Sequence, residues 1–205
     1  MGNGKGERLQ VFAAVGEVPL CFHDSPFSIP HSQLPMKRTV ILSHGLESGP
    51  QATKVSALAE VALALGWNEV RPDYRDIDAP RDPRAIDARI ARALAHTPAD
   101  GRVVFAGSSM GAFISGFASI ERRCEGLFLL ALPTGIPGYP HAFAAADVPT
   151  ALVHGWDDEL CPVDAAIAFA RERRAGLHLV RDDHRLSAHV GVSAELFARF
   201  LAGLG

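Results

Sequence analysis

The chain has 205 residues, of which 48% are hydrophobic and 21% are charged, and its formal net charge is −3. A chain of this length is typical of one domain and is long enough to bury a sizeable core. The slightly acidic balance offers no basic surface, which argues against nucleic acid as a partner. No apolar stretch approaches the length of a membrane span, so we expect no membrane partner either.

The cysteines and the first residues indicate a compartment. Cys21, Cys124 and Cys161 are widely spaced and odd in number, which predicts neither a disulfide framework nor a zinc site. The first ten residues are rich in glycine and charge and lack the apolar core of a signal peptide. We therefore expect a cytoplasmic protein.

The first 38 residues contain two candidate antiparallel edge strands, 9–15 and 18–22, followed by a proline-rich loop. From residue 39 onward, short apolar runs alternate with longer segments of helical period. These runs predict strands at 39–43, 68–72, 102–106, 127–132, 150–154 and 177–181. The alternation is typical of an α/β fold, a three-layer α/β/α sandwich with a mostly parallel sheet of about six to eight strands. We interpret residues 1–205 as a single domain with its core at 39–205.

Apolar residues at helical spacing predict the helices between these strands. The first helix has a buried stripe of Val55, Leu58, Ala59, Ala62 and Leu65 and ends at Gly66. The second begins at Asp82-Pro83, with a stripe of Ile86, Ile90 and Leu94. Pro162 opens a later helix, and the last helix runs from about Ser193.

A pentapeptide with the pattern G-x-S-x-G occupies residues 107–111. It follows a predicted strand and precedes a segment of small and apolar residues typical of a helix. In that context the serine lies at a sharp strand-to-helix turn, where crowding requires glycine two residues away on either side. Ser109 is therefore the candidate nucleophile. The amide of Met110 opens the helix with an N–H that is free to face a developing anion.

A serine hydroxyl needs a histidine to accept its proton and a carboxylate to orient that histidine. In a parallel sheet these partners are expected just beyond the carboxyl ends of later strands. Two segments lie in such positions. One, 154–162, contains two adjacent aspartates, and the other, 182–189, contains two histidines.

With these motifs in view, the chain resembles the α/β-hydrolase superfamily. The matching features are His44-Gly45 after the first core strand, the turn at Ser109, the HG-x-x-D-x-x-x-P segment at 154–162, and a histidine after the last strand. They span residues 39–200 in the order Ser, Asp, His that this family uses. The resemblance implies an α/β-hydrolase fold without a cap domain and a serine hydrolase that needs no cofactor and no metal.

One residue of each pair is preferred, the acid from the family pattern and the base from its position after the strand. The family pattern places the acid three residues after the glycine of HG and four before the proline, which is Asp158; Asp157 is the alternative. For the base, His184 closely follows its strand, whereas His189 lies a further turn away, so His184 is preferred. A metal site built from His154, Asp158, His184 and His189 is an alternative that leaves the serine turn unexplained.

The resemblance also assigns the second oxyanion donor, beside Met110, to the backbone N–H of Leu46. We interpret His44 as a support for the loop that carries Leu46. Nearby, a cluster of mixed charges is interpreted as an exposed loop, and it consists of Arg75, Asp76, Asp78, Arg81, Asp82 and Arg84.

Members of this family often carry a cap after the strand that here ends near residue 132. Residues 133–149 are too few for a folded cap, so we expect an open site. A short apolar wall beside it is predicted from Gly135, Pro137, Gly138, Tyr139, Pro140 and Phe143, with Phe113 or Trp156 contributing.

The sequence thus predicts a serine hydrolase of the carboxylesterase type, acting on a small-molecule ester or thioester through Ser109, His184 and Asp158. A thioesterase or an acyltransferase would use the same triad. A peptidase is disfavoured because small peptidases of this family generally carry lids. A non-catalytic binding module on a hydrolase scaffold would lack a residue of the triad, whereas this sequence contains a candidate for all three.

Overall fold

The computed structural model describes residues 1, 36–80, 82 and 85–204. The chain divides into a unit of Met1–Leu34 and a unit of Pro35–Gly205, and apart from Met1 the described residues lie in the second unit. The predicted edge strands at 9–15 and 18–22 lie outside the described residues. The single-domain interpretation of the whole chain stays a prediction.

Strands and helices alternate along most of the described part of the second unit. The strands are β1 (Arg38–Ser43), β2 (Asn68–Val70), β3 (Arg102–Ser108), β4 (Gly126–Leu130), β5 (Thr150–Gly155) and β6 (Gly176–Val180). The helices are α1 (Thr53–Ala64), α2 (Arg75–Asp78), α3 (Ala85–Ala95), α4 (Met110–Glu121), α5 (Val163–Arg173) and α6 (Val190–Gly203). Every strand predicted from residue 39 onward is present.

The six strands form one sheet in the order β2-β1-β3-β4-β5-β6, and every neighbouring pair is parallel. From β1 the chain moves first to β2 on one side and then to β3 on the other. In such sheets the crevice at the carboxyl ends of the two strands where the order reverses is the usual ligand site. The loops after β1 and β3 therefore lie at the edge where a site is expected.

Successive residues of the central strands point to opposite faces of the sheet. Both faces are apolar, and helices cover both of them. The face toward α1 and α6 is lined by Val40, Leu42, Val104, Ala106, Phe128 and Leu130. The opposite face, toward α3, α4 and α5, is lined by Ile41, Val103, Phe105, Leu127 and Leu129. Strands that are apolar on both faces are typical of such sandwiches, and the predicted three-layer α/β/α fold class is confirmed.

The end of α1 and the start of α6 differ from the predictions. Leu65 was predicted to be in the buried stripe of α1, but the helix ends at Ala64 and Leu65 is 39% exposed, because it belongs to the turn that leaves the helix. Gly66 follows with a φ of 73°, the left-handed conformation expected after a helix end. The last helix begins at Val190 rather than near Ser193, because a short 3-10 turn at Ser187–His189 leads directly into it.

Residues 131–149, between β4 and β5, contain neither a helix nor a strand, so this connection carries no cap domain. Among the described residues, none of the helices combines the length and the apolar character needed to cross a membrane.

Candidate active site

Ser109 lies between the end of β3 and the start of α4 with φ 55° and ψ −121°. A non-glycine residue in this region is strained, and such strain is concentrated at functional sites. The flanking glycines allow the turn. A Cβ at Gly107 would collide with the carbonyl of Gly111, and a Cβ at Gly111 would collide with the carbonyl of Ser43. The serine is thereby held in a turn that larger neighbours would break.

Three of the predicted residues form a hydrogen-bonded chain. Ser109 Oγ lies 2.9 Å from His184 Nε2. On the other side of the ring, His184 Nδ1 lies 2.9 Å from both carboxylate oxygens of Asp158. A carboxylate at Nδ1 holds the imidazole in the tautomer that leaves Nε2 free to accept the serine proton.

Asp158 is buried, with a side chain that is 0% exposed, and its Oδ1 also accepts hydrogen bonds from the amides of Leu160 and Cys161. These bonds fix the carboxylate in place. Asp157, the alternative acid, is exposed. Glu159 is exposed as well, but its carboxylate accepts a 3.4 Å hydrogen bond from the amide of His184, so it contacts the histidine loop.

The other two histidines of the region have structural contacts. His154 is fully buried, and its Nε2 lies 2.8 Å from the carbonyl of Cys161 and 3.3 Å from Asp158 Oδ2. His189 lies at the entry to α6, where its Nδ1 is 2.9 Å from Asp182 Oδ2. Neither is hydrogen-bonded to Ser109.

A cleft of about 770 Å³ opens over Ser109 and His184, and both predicted oxyanion residues, Leu46 and Met110, line it. Met110 is the first residue of α4, so its amide has no partner within that helix. Neither amide donates a hydrogen bond to another of the described residues. One N–H group from the loop after β1 and one from the start of α4 are therefore available at the cleft that contains Ser109.

The apolar wall of this cleft differs in part from the prediction. Pro133, Gly135, Ile136 and Pro137 line it. In contrast, Phe113 is fully buried and packs with Phe117, Phe143 and Tyr139 away from the cleft, and Trp156 does not line it. The phenylalanine and tyrosine rings pack in the core on the α4 face instead, and the predicted wall residues Gly138 and Pro140 do not line the cleft.

Lys54, at the start of α1, adds a cation to the cleft wall. Its Nζ donates a 2.7 Å hydrogen bond to the carbonyl of Arg185, next to His184. Burial lowers the pKa of this ammonium group, although the carboxylates of Asp158, Asp182 and Asp183 oppose that shift. The contact ties α1 to the histidine loop.

His44 is fully buried beneath the loop after β1 and supports it, as the sequence predicts. Its Nδ1 donates to the carbonyl of Gly45 at 2.8 Å, and its Nε2 accepts the amide N–H of Tyr74 at 3.0 Å. Burial lowers the pKa of His44, which favours the neutral ring that this pattern of one donor and one acceptor requires.

The interpretation of the charge cluster as an exposed loop is wrong for Asp78. Its carboxylate pairs with Arg89, whose side chain is only 1% exposed, at an Nε to Oδ1 distance of 3.2 Å. Burial raises the pKa of Asp78 despite this cation. Arg89 lies between Ile86 and Ala93 on the buried face of α3. That helical spacing was the signal in the sequence for a buried arginine.

Within the part of the chain that the structure describes, one set of side chains has the spacing needed to hold a metal ion. Donor atoms of Asp158, Cys161 and His184 lie within 4.8 Å of one another. In this set the carboxylate of Asp158 already accepts hydrogen bonds from His184 and from the amides of Leu160 and Cys161. Burial, followed by the charge of Asp158, raises the pKa of the Cys161 thiol to about 12, which disfavours the thiolate that binds metals. The hydrogen-bonded arrangement therefore explains these residues better than a metal site.

No protein-family model and no curated protein matches the chain. Solved structures do. A protein from Xanthomonas campestris pv. campestris assigned to the alpha/beta hydrolase superfamily is 45% identical, over 82% of this chain and 99% of that one, with a TM-score of 0.77.

Two more distant structures share the fold. Mouse alpha/beta hydrolase domain-containing protein 10 is 20% identical over 84% of this chain and 93% of its own, with a TM-score of 0.67. An alpha-beta serine hydrolase homologue from Coxiella burnetii is 20% identical over 80% of this chain and 85% of its own, with a TM-score of 0.57. On the strength of the Xanthomonas relative, which is matched along nearly its whole length, the chain belongs to the α/β-hydrolase superfamily, and this membership supports a hydrolase activity.

Proposed function

We propose that the protein is a serine hydrolase that cleaves small-molecule carboxylic esters, with Ser109 as nucleophile, His184 as general base and Asp158 as the acid that orients it. One observation carries the proposal: the continuous chain of 2.9 Å contacts from Ser109 Oγ through the imidazole to the carboxylate. An isolated serine hydroxyl is a weak nucleophile at neutral pH, and this arrangement is the one that activates it.

In the first half of the reaction, Ser109 Oγ attacks the ester carbonyl carbon while its proton moves to His184 Nε2. Asp158 stabilises the imidazolium that forms. The carbonyl oxygen becomes an oxyanion, which the backbone N–H groups of Leu46 and Met110 are proposed to stabilise. Collapse of this intermediate breaks the bond to the alcohol oxygen, which takes the proton from Nε2 and leaves as the alcohol.

In the second half, a water molecule gives its proton to His184 Nε2 and attacks the carbonyl of the acyl-enzyme. The same two N–H groups stabilise the second oxyanion. The proton then returns to Ser109 Oγ as the carboxylic acid is released. The open connection at 131–149 leaves the cleft accessible to this water, which favours hydrolysis over a protected transfer to another acceptor.

A panel of p-nitrophenyl esters of increasing acyl length, with the matching S-aryl thioesters, tests this proposal. We expect turnover of the oxygen esters with a pre-steady-state burst of p-nitrophenol that approaches one per chain, because an acyl-enzyme accumulates. Turnover of the thioesters alone would indicate a thioesterase. Transfer to an added alcohol in preference to water would indicate an acyltransferase, and no turnover of either series would contradict the proposal.

A further inference from the structure

The peptide unit between Gly45 and Leu46 is held at its carbonyl end by donors from three directions. The Gly45 carbonyl lies 2.8 Å from His44 Nδ1, 2.9 Å from Ser48 Oγ and 3.5 Å from Arg89 Nη2. Arg89 Nη2 is also 3.3 Å from the carbonyl of His44, one peptide earlier. We call these three donors to Gly45 the carbonyl clamp.

The same peptide unit carries the N–H of Leu46. A peptide is planar, and the structure contains no cis peptide bond among the described residues, so this N–H points away from the Gly45 carbonyl. A clamp on the carbonyl therefore fixes the direction of the N–H. Donors to a peptide carbonyl also polarise the unit and strengthen its N–H as a donor.

Packing of the Leu46 side chain cannot fix the direction of the Leu46 N–H. Leu46 is 44% exposed and lines both the 770 Å³ cleft and a second cavity of about 250 Å³. The next residue, Glu47, has a φ of 56°, a strained conformation that its surroundings must hold. The loop therefore depends on polar contacts at its base.

Arg89 is the member of the clamp that comes from outside the loop. Its guanidinium is paired with Asp78 through two contacts of 3.2 Å, and its carbon atom Cζ lies 4.4 Å from the centre of the Tyr74 ring. A buried arginine held in this way from two sides has one fixed position. It joins α3 to the loop after β1.

We infer that Arg89, oriented by Asp78, is a positioning residue of the active site, which holds the Gly45-Leu46 peptide so that the Leu46 N–H faces the oxyanion. This inference rests on the proposed function, because only an oxyanion gives that N–H a catalytic role. Arg89 itself touches neither substrate nor the reacting atoms. The inference explains why a buried ion pair lies beneath the loop.

The test compares Arg89→Met with Arg102→Met, a control at the opposite edge of the sheet. Arg102 also pairs with a carboxylate, that of Glu125, and also lies over an aromatic ring, that of Trp67, but it does not contact the loop after β1. Turnover of a p-nitrophenyl ester is measured per active serine, titrated with a fluorophosphonate, so that a smaller folded fraction does not imitate a slower enzyme. Complete loss of an oxyanion donor costs roughly 10²- to 10³-fold in kcat, and misdirection of one should cost about tenfold to a hundredfold.

We expect Arg89→Met to lower kcat about tenfold to a hundredfold with KM unchanged, and to weaken inhibition by an arylboronic acid by a similar factor. Arg89→Lys, which keeps the positive charge, should restore part of the lost kcat. Ser48→Ala, which removes a clamp donor without disturbing a buried charge, should lower kcat in the same way and covers the case in which Arg89→Met does not fold. Equal kcat in Arg89→Met and Arg102→Met, or in Ser48→Ala and Arg102→Met if Arg89→Met does not fold, would overturn the inference alone. Absence of turnover in the wild-type protein would instead overturn the proposed function.

Discussion

Replacement of Ser109 by alanine is expected to lower kcat for ester hydrolysis by roughly 10⁴- to 10⁶-fold, since loss of a triad serine leaves only the rate that binding and the oxyanion donors supply. The change removes one oxygen from a residue whose strained backbone is held by its neighbours, so the fold should persist. The measurement is steady-state turnover of a p-nitrophenyl ester.

Ser115→Ala is the matched control for this variant. Ser115 is a second serine of the same region, fully buried in α4, and its Oγ has no hydrogen-bond partner among the described residues. It therefore undergoes the same chemical change without any contact to His184, and its turnover should stay near the wild-type value. Wild-type turnover in Ser109→Ala would show that another group performs the reaction.

Replacement of Asp158 by asparagine is expected to lower kcat by about 10⁴-fold, the loss typical of a triad in which the orienting carboxylate becomes an amide. The amide cannot stabilise the imidazolium, and it can present an N–H to His184 Nδ1, which selects the wrong tautomer. Asp157→Asn, one residue away and exposed, makes the identical change outside the hydrogen-bonded chain and should have little effect. The reverse order of these two effects would move the acid to Asp157.

The fold was predictable because its signals are local. Strands buried on both faces must be continuous apolar runs, so β1, β3 and β4 are visible as segments such as Val103 to Ala106 in the sequence. The start of α6 was less predictable, because the turn at Ser187–His189 is set by contacts such as the 2.9 Å hydrogen bond between His189 and Asp182.

The residues brought together at the candidate site were also predictable, because a parallel sheet collects the loops after its strands at one edge. The motif at 107–111 selected Ser109, the pattern of the family resemblance selected Asp158, and the closeness of His184 to the end of its strand selected the base, without any distance between them. What the sequence did not reveal was the support beneath Leu46. Arg89 and Asp78 are close in the chain but act on a loop more than forty residues away from Arg89, and only the folded position of α3 beside the loop after β1 brings these groups into contact.

The reactivity of Ser109 toward a fluorophosphonate tests the central claim most directly, since this reagent phosphonylates an activated serine with loss of fluoride and requires no knowledge of the substrate. We predict one adduct per folded chain, on the peptide that contains Ser109, with none in Ser109→Ala and none after unfolding in urea. Folded wild-type protein that forms no adduct, or forms it on another residue, would contradict the account.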